Sequence, residues 1–445
     1  MSEKAKYYKL KNGLSICLVK IPKASVVNMM LVTKTGFAFE NSNTLGYSHL
    51  LEHILMDSHP NFTVKNAWEE IEQKGIYANA STDYEIVDYT YMGSTKHWKT
   101  MFEFVTVPIT GIKITKKTFN REMKAVKQEL KNYMDESLRD YKDTIKSSIY
   151  KDTILASTEK ETLNNTMKCT MNGLEKFFEE QYVYHNMTLL IVGNFPEREL
   201  RRQIAKLENP PIRQMLTSDA PLNKMVVTDD GQQVSDILET NHMKGYHVNK
   251  KVFVKSPKVE KVYCCLFFKL TTEPYSKDHY IAEFLSRILT DGMMSVLYKK
   301  LRVDKKWVYG VSSYISISTF DSDFSIKFNT ESKHFKGCVD ETFKSLAQLR
   351  KNVSKKIYSA GYEKIKTEYD MSRTSNIINK LTNHYEELIQ YGMTGKNMLT
   401  VNQYYDNLLK VKAYEIKDFI NRYIIKDNCR LFYGSKKNNG TQIKF

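Results

Sequence analysis

Residues 47–55 read Tyr47-Ser48-His49-Leu50-Leu51-Glu52-His53-Ile54-Leu55, two imidazoles and a carboxylate set in an apolar run. On a helix, His49 and His53 are i,i+4 neighbours sharing a face, and Glu52 lies i+3 from His49. Two neutral imidazoles so placed could take one Zn²⁺, with Glu52 beside the metal to handle the proton of a water. The order is H-x-x-E-H, the reverse of H-E-x-x-H. Leu50, Leu51, Ile54 and Leu55 would seat the helix in a core. The plainer alternative is a partly buried helix carrying two histidines with no metal between them. A third ligand decides between the two readings.

Upstream of this stretch, residues 7–11 and 14–20 flank Asn12-Gly13 and read as a hairpin, and the apolar run Val26–Thr33 reads as a strand. Downstream, residues 64–74 have helical periodicity and stop at Gly75. The segments 77–82 and 86–92 read as two strands joined by a turn at Asp83-Tyr84. After a helix over 97–105, a long helical stretch runs from Lys116 to about Leu138 with Phe119, Met123, Val126 and Leu130 on one stripe. Glu122 and Glu129, seven residues apart, fall on nearly the same face two turns apart. Either could complete a site that already has two imidazoles; the competing expectation for glutamates on a lysine-rich helix is solvent. A helix over 174–184, a buried strand over 189–194 and a helix over 197–207 follow, and then a polar, Pro-containing region to about Asn249 interrupts the pattern.

With 445 residues the chain exceeds what one core usually holds, so more than one domain is expected. Hydrophobic and charged fractions of 41% and 27% are those of a folded, soluble protein. There is no apolar run of membrane-spanning length, and the first residues lack a signal core, so the expected compartment is the cytoplasm, with no membrane partner. The six cysteines show no C-x-x-C spacing and suggest neither a disulfide framework nor a thiolate zinc cluster. A formal charge of +16 raises nucleic acid as a partner, yet the lysines are spread along the chain and no nucleic-acid motif concentrates them. No nucleic-acid partner is expected.

The second half echoes the first. Val19-Lys20-Ile21-Pro22-Lys23 with its following strand is matched by Val254-Lys255-Ser256-Pro257-Lys258, and Ile114-Thr115-Lys116-Lys117 by Val353-Ser354-Lys355-Lys356. This self-similarity points to two copies of one α+β unit. Stepping the offset through residues 279–291 sets Glu283, Ser286 and Arg287 against His49, Glu52 and His53, so the second copy lacks the metal residues.

Taken together, these residues resemble the pitrilysin/insulinase (M16) family of zinc peptidases, in its short two-domain, processing-peptidase-like form. The resemblance rests on His49-Leu50-Leu51-Glu52-His53 with Glu129 at the family spacing, and on Glu122, seven residues before that ligand. Asn79-Ala80-Ser81-Thr82 with Tyr89 resembles the family's edge-strand motif, and Leu301-Arg302 with Tyr309-Gly310 its Arg-and-Tyr pair. Met56-Asp57-Ser58-His59-Pro60 departs from the family's usual turn, and His59 is not counted as a ligand. The fold implied is α+β: two tandem homologous α/β-sandwich domains, each a mostly antiparallel sheet with helices packed on one side. The domains would cover residues 1–215 and 250–445, joined by a linker at 216–249. The resemblance further implies one zinc ion per chain on His49, His53 and Glu129, Glu52 as general base and Glu122 supporting a ligand. Asn79 and Ala80 would hold a peptide or small-protein substrate, and Arg302 and Tyr309 would reach across from the second domain. The expected activity is peptide-bond hydrolysis in a homodimer, or in a heterodimer with a related subunit. The alternative is an inactive or partner-dependent peptide-binding subunit.

Overall fold

The computed structural model describes residues 4–112, 114–134, 136–209, 251–372, 376–440 and 442–443. The first half runs β1 (Lys6–Lys9), β2 (Ser15–Lys20), β3 (Val26–Thr33), α1 (Tyr47–Met56), α2 (Val64–Gln73), β4 (Tyr77–Thr82), β5 (Val87–Ser94) and α3 (Trp98–Val105). It continues through α4 (Val107–Thr110), α5 (Lys116–Met134), α6 (Arg139–Ile149), α7 (Glu159–Thr166), α8 (Met171–Gln181), β6 (Met187–Gly193) and α9 (Glu197–Ala205). The second half comprises β7 (Lys251–Lys255), β8 (Val262–Lys269), α10 (Lys277–Leu289), β9 (Val308–Ile317), β10 (Ser322–Thr330) and α11 (Phe335–Lys351). After these come α12 (Lys355–Ser372), α13 (Ile377–Gln390), α14 (Val401–Leu409), α15 (Ala413–Tyr423) and β11 (Cys429–Ser435). The expected linker at 216–249 lies outside the described residues.

Packing divides the chain into two units that do not follow the midpoint. One holds residues 1–134, 153–234 and 374–401; the other holds 135–152, 235–373 and 402–445. In the first unit the strand order is β1-β2-β6-β3-β5-β4, antiparallel except for the parallel pair β2 and β6. Alternate residues of its strands, Ile16, Leu18, Met29, Leu31, Val87 and Tyr89, pack on one face against α1, α3, α5 and α8. The intervening residues, among them Met30, Val32, Leu190 and Val192, are buried too. Alternation alone would leave them wet; α13, packed on β3 and β6, covers them.

The second unit repeats the plan with the order β7-β11-β8-β10-β9, again with one parallel pair, β7 and β11. Cys264, Leu266 and Phe268 face α10, α11 and α15, while α6 packs on β7 and β11. There the Tyr141 hydroxyl donates to the Phe432 carbonyl at 3.4 Å, and Arg430 donates to the Ser148 carbonyl at 3.0 Å. Mostly antiparallel sheets with a helical layer are thus present twice. In each unit the far face carries a helix from the half of the sequence that the other sheet dominates. Among the described residues no helix is long and apolar enough to cross a membrane.

Candidate metal centre

The helix α1 is held at both ends. At its start Gly46 has φ +88°, and a Cβ there would lie 2.0 Å from Thr166 Oγ1, so the position needs glycine twice over. With no side-chain cap on Gly46, the buried Glu40 carboxylate takes the backbone N–H groups of Gly46 and Ser48 at 2.8 and 2.7 Å. Burial pushes the Glu40 carboxyl up to about 7 even though those hydrogen bonds favour its charged form. At the other end Asp57 accepts from Trp68 Nε1 at 2.9 Å and from Arg121 Nη2 at 3.0 Å. Leu50, Leu51, Ile54 and Leu55 are buried, as their spacing predicts.

That anchoring leaves His49 and His53 facing α5. Their Nε2 atoms are 3.3 Å apart. Glu129 brings Oε1 to 3.7 Å from His49 Nε2 and Oε2 to 3.3 Å from His53 Nε2. Three donors at about 2.0–2.2 Å from one tetrahedral ion are separated by about 3.3–3.6 Å. The three side chains offer ligand atoms within 4.8 Å of one another, a group that could hold a metal ion, and among the described residues His49, His53 and Glu129 form the one such group. Of the two glutamates that spacing left open, Glu129 is the donor beside both rings. Glu122 is instead buried behind His53, its Oε2 3.6 Å from Nδ1, and Arg121 Nε donates to its other oxygen. A carboxylate there favours the tautomer with the hydrogen on Nδ1, which leaves Nε2 on the side of Glu129. Neither glutamate is an ordinary solvent-facing residue of a lysine-rich helix.

Electrostatics distinguish the two rings. Burial, reinforced by the neighbouring His53, pulls His49 down to about 4, so its ring is neutral at pH 7 with a lone pair available. For His53, burial is the largest influence and pulls downward. The Glu122 hydrogen bond and the Glu52 and Glu129 carboxylates together outweigh it, and the net shift is upward. In Glu122, burial is opposed by His53, Arg121 and Asp57, and the carboxyl ends below its ordinary value. Glu52 is raised, chiefly by burial, a direction that strengthens a base.

Glu52 has a partner that pattern reading did not identify. Thr82 Oγ1, at the end of β4, donates to Glu52 Oε2 at 2.8 Å. Thr82 sits in the quoted edge-strand stretch, but its link to residue 52 spans thirty positions and has no local signal. β4 is the last strand of its sheet and pairs only with β5 among the described residues. Asn79 on it is exposed and Ala80 is half-buried. Tyr89 lies opposite Ala80 on β5, fully buried, its hydroxyl 2.8 Å from that of Tyr182, so it supports the edge from beneath.

In the second unit, Arg302 lies in a helical turn over Tyr298–Asp304, donates to the Val308 carbonyl at 3.3 Å and stacks 4.9 Å above the Tyr309 ring. Tyr309 is three-quarters exposed at the start of β9. Glu283 and Arg287, which the offset sets against His49 and His53, form an ion triad with Glu368: Arg287 pairs with Glu283 at 3.0 Å and with Glu368 at 3.0 Å.

Comparison with known proteins agrees with this arrangement. Residues 15–167 match the family model described as Insulinase (Peptidase family M16), and residues 168–362 match the Peptidase M16 inactive domain. An uncharacterized zinc protease of Rickettsia bellii is 22% identical over 425 residues, 95% of each chain; another, of Rickettsia felis, is 22% identical over 330 residues, 74% of each. The crystal structure of a protease from Helicobacter pylori has the same fold, with a TM-score of 0.79 at 17% identity, covering 98% of this chain and 100% of that one. With its inverted histidine motif in one unit and an ion triad in the other, the chain belongs to peptidase family M16.

Proposed function

We infer that the protein is a zinc-dependent endopeptidase that cleaves extended peptides or small unfolded proteins. The observation carrying this reading is the donor triangle of His49, His53 and Glu129 with Glu52 beside it. A zinc ion on those donors supplies Lewis acidity and lowers the pKa of a water it holds to about 7. Glu52, with Oε2 engaged by Thr82, keeps Oε1 to take a proton from the attacking water and to pass it to the leaving amine. Glu122 orients His53. An extended peptide adds to β4 beside Asn79 and Ala80, so that main-chain bonds supply affinity. For Arg302 and Tyr309 the family resemblance supports the roles of gripping a substrate carbonyl or carboxylate and of donating to the developing oxyanion. The working form is a dimer of this chain, or of this chain with a related subunit, in the cytoplasm.

Removing metal tests the reading. Dialysis against a chelator should abolish cleavage of a peptide library, and one equivalent of zinc should restore it. Full activity in protein shown by metal analysis to be zinc-free would contradict it.

A further inference from the structure

Past the C-terminus of α1 lies an open cavity of about 890 Å³, lined by residues of the 57–65 segment, by Gly111 and Ile112, and by the first turns of α5. Pro60, Phe62, Val64 and Ile112 make part of the lining apolar, and among the described residues the charged groups of the lining are Asp57, Lys65, Lys117 and Arg121. Two of the four are committed elsewhere. Asp57 is held by Trp68 and Arg121, and Lys65 reaches Glu69 at 3.4 Å. The Lys117 ammonium and Nη1 of Arg121 have no partner among the described residues. They are four apart on one helix and therefore share a face. Beside hydroxyls such as those of Ser58 and Thr118, the hydrogen-bond donors left over in this cavity are these two cationic groups, and they stand beside apolar surface.

Arg121 is fixed before any ligand arrives. Its Nε donates to Glu122 and its Nη2 to Asp57, so the guanidinium plane is set and little side-chain freedom remains to be lost. It is also half-buried, which makes a charge-assisted bond stronger than one on open surface. Through Glu122 the same side chain abuts His53. From His53 to Asp57 is one helical turn, about 5.4 Å, which an extended peptide spans in about two residues.

We propose that this cavity is a subsite for a carboxylate on an apolar body, held by Arg121 and Lys117. In a substrate that group is an acidic side chain, or the C-terminus, about two residues from the bond cleaved. The substrate form rests on the peptidase reading; a small free carboxylate carries the same chemistry and would not need it.

The test uses two probes on the full zinc-loaded chain. The first is a pair of peptides with Glu or Gln two residues to either side of the cleaved bond, read as the ratio of kcat/KM. A ratio of about tenfold in favour of Glu, falling to near one in Lys117→Gln and in Arg121→Gln, supports a substrate subsite. Because the ratio is taken within each variant, a general loss of rate from disturbing Glu122 cancels. The second probe is 4-phenylbutyrate against its amide, titrated calorimetrically into Glu52→Gln protein. Acid-selective binding lost in Lys117→Gln, without peptide preference, supports the carboxylate site with a free ligand as its source. Acid-selective binding by Glu52→Gln, with zinc-loaded wild type cleaving none of the peptides, would refute the peptidase reading and leave the subsite standing. Equal handling of acid and amide by both probes overturns the proposal.

Discussion

At the scale of single residues, the proposed chemistry depends on Glu52 presenting one oxygen in a set direction. Thr82 Oγ1 holds the other at 2.8 Å. Thr82→Val removes the donor at nearly constant volume and should lower kcat about tenfold with KM little changed, since one hydrogen bond to a charged group is worth roughly 1.5–3 kcal/mol. Thr82→Ser should recover most of the rate, and equal kinetics for all three would remove Thr82 from the mechanism. His49, Glu52 and His53 were readable because their relation is local, three and four residues along one helix. Glu129 and Glu122 were readable only as a choice between two residues on one face, which resemblance to a family then resolved. Glu40, Asp57, Arg121 and Thr82 were not assigned a role. Each acts through a contact with a distant or non-periodic partner, and a buried carboxylate capping a glycine-started helix has the same letters as a surface glutamate.

At the scale of elements, most strands and helices of the first half lie where periodicity and turn residues put them; β3 at Val26–Thr33 and β4 at Tyr77–Thr82 keep their expected bounds. Most helices of the second half have no counterpart among the sequence expectations, and in the first half α6 and α7 have none although each carries a signal. α7 starts with a Thr158-x-x-Glu161 capping box, both halves of which form. In α6, Tyr141, Ile145 and Ile149 recur at four-residue spacing, but in a short, charge-rich segment that is easily read as loop. The comparison of α1 with α10 has an energetic consequence. Arg287→Met should cost about 2–3 kcal/mol, less than a fully buried pair because the guanidinium is a quarter exposed, since Glu283 and Glu368 would lose their shared cation. Adding Glu283→Leu and Glu368→Leu should return most of that stability. Urea midpoints measure both, and an undiminished midpoint in the single variant would show that the triad contributes nothing.

At the scale of the molecule, the repeat was visible as two offset matches, whereas the exchange of α6 and α13 was not. Amphipathic periodicity says that a helix has an apolar face and is silent about which sheet it covers. The whole chain should also be acid-sensitive through a group far in sequence from the metal residues. Burial pulls His279 down to about 4, and its neutral Nδ1 accepts the Tyr275 backbone N–H at 2.9 Å. Between that value and the ordinary 6.5 the unfolded chain binds the extra proton, so this contribution is complete above about pH 6.5 and is lost as pH falls toward 4. By pH 5 the loss is about 2 kcal/mol. The drop in urea midpoint from pH 7 to pH 5 should be smaller in His279→Gln by that amount; equal drops would mean the ring titrates normally. The central claim, that one helix contributes two metal ligands and the base, is tested most directly by comparing peptide hydrolysis in wild type and Glu52→Gln at equal zinc content. The expected result is about one zinc per chain in both and a rate at least about a thousandfold lower in the variant. Undiminished hydrolysis by zinc-loaded Glu52→Gln would contradict it.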